Sequence, residues 1–131
     1  MKYFIVLIFC LYSVGAVSQA RVGHHITQVI NEFPASKVND SVYIWRTDNA
    51  VVKYLTDPNG LVTETIIYPL TLKDEKIYTA YYNNSFIKRG SSMWVFVQGS
   101  DSCYVTKVRK GDLNSVYFIW SFDTGLRKSY E

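Results

Sequence analysis

The stretch Ser91 to Phe122 constrains the fold of this chain most strongly. It reads as three short strands joined by two tight turns, and two of the three are apolar on both sides. Met93, Val95 and Val97 alternate with Trp94 and Phe96, while Val116, Phe118, Trp120 and Phe122 alternate with Tyr117 and Ile119. Successive strand side chains point to opposite faces of a sheet, so a half-solvated strand alternates apolar with polar residues. These strands must therefore bury one face in a core and have the other covered by something else.

Other runs have the same β character. Ser41 to Arg46 and Ala50 to Leu55 flank Thr47-Asp48-Asn49 and suggest a hairpin. Asp57-Pro58-Asn59-Gly60 is turn chemistry, with proline presetting φ and Asn-Gly accepting a positive φ. Leu61 to Tyr68 is the next strand, ended by Pro69, and Lys76 to Tyr82 is read as another. Arg21 to Phe33 is the one expected helix, because Ile26, Val29, Ile30 and Phe33 recur at helical spacing and Pro34 stops it; an N-terminal strand is the alternative. The expected class is mainly β: a single antiparallel β-sandwich or partly open barrel of about seven strands, with a short N-terminal helix. No internal repeat is legible.

The N-terminus predicts export. Lys2 precedes an apolar run from Tyr3 to Val14, and Ser18-Gln19-Ala20 places small residues at −3 and −1. Residues 1–20 read as a cleaved signal peptide, with cleavage after Ala16 as the second choice of site. Residues 21–131 then form a single secreted β domain with no membrane span. The formal charge of +3 falls short of an electrostatic footprint for nucleic acid, so none is expected as a partner. Cys10 leaves with the signal, so Cys103 is alone: a buried thiol or an intermolecular disulfide, the latter giving a homodimer. Asn39-Asp40-Ser41 and Asn83-Asn84-Ser85 are sequons, making Asn39 and Asn83 candidate glycosylation sites.

Catalytic chemistry finds no foothold. His24 and His25 are the only histidines, and adjacent side chains point apart, so they do not make a metal site. No nucleophile elbow or zinc-protease run occurs. Asp48, Asp57, Asp101 and Asp112 fall in turns, where aspartate caps its own backbone, and Asp74-Glu75 reads as a solvated acidic pair. Lys88, Arg89, Lys107, Arg109 and Lys110 read as loop-tip charges, the alternative being a surface shared with Tyr81, Tyr82 and Trp94 for a polyanion or sugar. No cofactor, metal or catalytic residue is expected. The binding-surface candidates are the aromatic and apolar residues of the second face and its surroundings: Trp94, Phe96, Tyr117, Ile119, Tyr81 and Tyr82.

A run ending in Tyr68-Pro69, then Ile77 to Ala80, Gly90-Ser91-Ser92, Gln98-Gly99-Ser100, Val105 and Val108, and a last strand near Phe118 and Trp120, form a further pattern. In it the chain from Val62 onward resembles the small secreted insect proteins of the multiprotein-bridging-factor-two family. Gly90-Ser91 and Gly99-Ser100 stand where that pattern has paired glycines, and Lys110-Gly111-Asp112 where it has Ser-x-Arg-Gly. The resemblance implies a β architecture, export and a binding rather than catalytic role, and it carries over no site residue. The expectation is thus a secreted non-enzymatic domain that binds an extracellular protein or other partner. The alternatives are a barrel carrying a small apolar ligand, and the coactivator-type adaptor that the family name records.

Overall fold

A computed structural model describes residues 20–98, 101–110 and 115–122. Residues 1–19 of the expected signal peptide and both turns of the Ser91–Phe122 meander lie outside the described residues. Among the described residues the fold is mainly β, with eight antiparallel strands in one open sheet and two helices. Helix α1 is Ile26–Glu32, and strands β1 to β4 are Ser36–Asn39, Val42–Arg46, Ala50–Thr56 and Val62–Pro69. Helix α2 is Leu72–Ser85, and β5 to β8 are Ile87–Lys88, Met93–Gln98, Asp101–Lys110 and Ser115–Ser121.

The spatial order is β1-β2-β3-β4-β8-β7-β6-β5. Each half is one helix followed by a four-stranded meander, and the halves meet where β4 pairs antiparallel with β8. The order is therefore palindromic, a repeat of topology that the residues do not display. The strands neither split into two packed sheets nor close into a barrel.

Both described helices pack on one face. Across the middle of that face the register aligns Tyr43, Tyr54, Thr65, Trp120, Val105 and Trp94. A second row runs Trp45, Val52, Ile67, Phe118 and Lys107. Tyr82 of α2 stands over these rows, 5.5 Å from the Trp94 ring, 5.0 Å from Phe118 and 5.6 Å from Trp120. Phe33, just after α1, stacks on Trp45 at 4.2 Å. Burial of these large rings removes apolar area from water and stabilises the fold.

Helix α1 is shorter than the periodicity suggests. Gly23 takes a positive φ, and the backbone before α1 pairs with the start of β4: Gly23 N–H donates to Val62 O and Val62 N–H to His24 O, both at 2.8 Å. His25 then caps the helix, its Nδ1 accepting from the Thr27 N–H at 3.2 Å. Its Nε2–H donates to the Asn59 carbonyl at 3.0 Å and ties α1 to the β3–β4 turn. In that turn the Asp57 carboxylate accepts from the Asn59 and Leu61 N–H groups, both at 2.9 Å.

Lys76 to Tyr82, expected as a strand, is helical. Thr71 caps α2 by accepting from the Asp74 N–H at 3.1 Å, and Glu75, Tyr78 and Tyr82 face inward at helical spacing. Tyrosines favour strands only as a weak prior, and the apolar surface offered by β8 and β6 overrides it. Asp74-Glu75 also divides differently from the expectation. Asp74 accepts from the Thr71 hydroxyl at 2.8 Å, whereas Glu75 is buried.

Candidate functional site: the second face of the sheet

Strand alternation leaves a second face opposite the helices. One row across it runs Ile44, Lys53, Ile66, Ile119, Thr106 and Met93. The next runs Val42, Leu55, Glu64, Ser121, Tyr104, Val95 and Ile87. Val51 and Tyr68 pair in a third row, where the Tyr68 and Tyr117 rings lie 5.4 Å apart. Ile66, Val95 and Ile119 are buried apolar residues that do not belong to the main core cluster. They form a second apolar centre, ringed by half-buried Val42, Ile44, Val51, Leu55 and Tyr117.

Charge on this face is sparse. Glu64 lies in the second row, 8% exposed, with its Oε1 buried and without a hydrogen-bond partner. Burial raises its carboxyl above the ordinary range, and Lys53 on the neighbouring strand pulls the other way. A buried ionised carboxylate short of hydrogen bonds is costly, so Glu64 is the polar group on this face most ready to accept a donor.

The sequence-derived candidates separate onto the two faces. Tyr117 and Ile119 lie on the second face. Trp94 is 1% exposed beneath α2, its indole N–H donating to the Asn83 Oδ1 at 2.9 Å. Tyr82 is fully buried, and its hydroxyl accepts from the Trp120 indole at 3.3 Å; burial raises that hydroxyl's pKa. Phe96 packs against Phe86 at 5.2 Å and Tyr81 edges onto the same ring at 5.8 Å, both half-buried on the helix side. So Trp94, Phe96, Tyr81 and Tyr82 do not share a surface with Tyr117 and Ile119. The two meander strands pair through Val105, which places Trp94 and Trp120 on one face and sets Ile119 against it.

Ile66, Glu64 and Leu55 escaped sequence reasoning. The signal was present in Ile66-Ile67-Tyr68, which is apolar on both faces in the manner of the meander strands.

Cys103 is a buried free thiol on the helix side, opposite Phe96. Burial pushes its pKa up to about 12, against a hydrogen bond with the Ser121 backbone. The thiolate needed for disulfide exchange is thus scarce at neutral pH. Asn39 sits at the β1–β2 turn, its Oδ1 accepting from the Ser41 N–H at 3.0 Å; Asn83 lies in the last turn of α2. Both are exposed.

Glu75 draws two basic residues of β7. Lys107 lies 3.3 Å and Arg109 3.8 Å from Glu75 Oε1, and Lys107 also donates to the Thr79 hydroxyl at 3.3 Å. An open groove of about 490 Å³ lies along α2, lined by Leu72, Lys73, Lys76, Ile77 and Ala80. Among the described residues no group of histidine, cysteine and carboxylates could hold a metal, and no helix is long and apolar enough to cross a membrane.

No family model, curated protein or solved structure matches the chain. Whatever function it has must be argued from its own surfaces.

Proposed function

We propose that this chain is a secreted, non-enzymatic binding module that engages an extracellular protein through the second face of its sheet. The observation carrying this reading is the apolar centre of Ile66, Ile119 and Val95, placed opposite both described helices. Eight strands about 4.8 Å apart and some six residues deep give a face of at most on the order of 700 Å². That is close to the area, about 800 Å², which one partner contributes to a standard interface.

A non-catalytic role agrees with how the histidines are engaged. His25 caps α1, and His24 lies 3.3 Å from the Gln28 side-chain oxygen. Export rests on the N-terminal apolar run and its small-residue boundary. The carrier alternative loses its barrel, because the sheet is open; an apolar ligand would have to lie on the face.

The test pairs two faces. Tyr117→Lys and Leu55→Lys place charge on the second face, and Leu72→Lys does so on the exposed side of α2. In pull-downs from the fluid into which the protein is exported, the first two variants should lose the partner captured by wild type. Leu72→Lys should keep it, with circular dichroism unchanged in all three. Retention by all variants would place the interface elsewhere.

A further inference from the structure

We propose that the leader is cut after Ala16, so that the mature chain begins at Val17 and keeps Ala20. The inference rests on the export reading above and adds the position of the processing site. By the small-residue rule the boundary after Ala20 is the better site, with Ser18 at −3; the boundary after Ala16 also places alanine at −1, with aliphatic Val14 at −3. Sequence alone favours the later cut. The fold favours the product of the earlier one.

Ala20 is 3% exposed and belongs to the main core cluster with Tyr54 and Trp120. Its carbonyl accepts a hydrogen bond from the Thr65 hydroxyl. Thr65 is fully buried on β4, at the centre of the sheet. A cut after Ala20 would remove that acceptor from a hydroxyl that water does not reach.

The same cut would create an ammonium group on Arg21. Arg21 is already tightly held: its guanidinium pairs with Glu32 and lies 5.7 Å from the Phe33 ring centre, and its φ is 45°. Its Nε and the Tyr54 hydroxyl are both buried without hydrogen-bond partners. A new positive charge on the residue that carries that guanidinium would be repelled by it. Val22, 8% exposed, and the Gly23–Val62 hydrogen bond continue the docking, so the built segment begins no later than Ala20. Signal peptidase acts before folding, so the fold does not steer the enzyme. It shows which product has all the residues that the core uses.

The experiment expresses the full chain in a eukaryotic secretory host and reads the first residue of the secreted protein by intact mass and N-terminal sequencing. A start at Val17 is expected. A start at Arg21 overturns the inference while leaving export intact; a cell-retained chain still carrying Met1 overturns export and the inference together. Ala16→Arg blocks the earlier cut, so its secreted product begins at Arg21. It should melt roughly 5 °C or more below wild type; equal melting overturns the inference. Thr65→Val gives a second reading that does not depend on diverting the cut. It should lower the melting midpoint of the wild-type secreted chain, because Ala20 O loses its donor, and an unchanged midpoint overturns the inference.

Discussion

Single residues carry sharp consequences in this fold. Gly60 has a φ of +83°, and a Cβ built there would stand 2.6 Å from His25 Nε2. Gly60→Ala should therefore destabilise the protein by about 2 kcal/mol or more, through backbone strain and displacement of the ring that ties α1 to the turn. Urea unfolding measures it, and adding His25→Ala should relieve only the steric part. Glu64 gives the pH dependence. Its folded-state pKa is raised by burial, so as pH rises from the ordinary carboxylate range the unfolded chain ionises first. Stability from this group is greatest where Glu64 is protonated and is lost as pH rises through its folded-state pKa. Glu64→Gln should raise the melting midpoint at pH 7 and flatten that part of the pH profile. A lower midpoint at pH 7 would show that the ionised carboxylate has a partner in solution.

At the scale of elements, α2 shows how capping and packing act together. Thr71 accepts the Asp74 N–H, while Asp74 and Glu75 provide the acidic first turn that the helix dipole favours. Thr71→Ala should cost about 1 kcal/mol in denaturant unfolding. The helix boundary was legible in Thr71-Leu72-Lys73-Asp74, which has capping spacing, but the tyrosines of Lys76 to Tyr82 argued for a strand. Alternation of apolar residues cannot separate the two when both faces of a segment carry tyrosine. What separates them is the surface waiting opposite: Phe118, Trp94 and Trp120 accept Tyr78 and Tyr82 from one side of a helix. Strands β1 and β5 were missed for a related reason. Their residues are exposed and carry no burial pattern, and only pairing with a neighbour makes them strands.

At the scale of the molecule, two helix-plus-meander halves join through their last strands and place β4 and β8 at the middle of the sheet. Amide hydrogen exchange should follow that order, slowest in β4 and β8 and fastest in β1 and β5. Protection of β1 or β5 equal to that of β4 would reveal an assembly that extends the sheet at its edges. The β-rich class, the hairpin turns and the apolar character of both faces of the meander were determined by the sequence, because they follow from local propensity and a period of two. Which of those faces became core was decided only by the tertiary structure. Register puts Trp94, Trp120 and Cys103 under α2 and leaves Ile119 and Tyr117 on the other side with Ile66 and Glu64. That assignment depends on strand pairing between residues more than forty positions apart, such as Ile66 with Ile119, which no local pattern encodes.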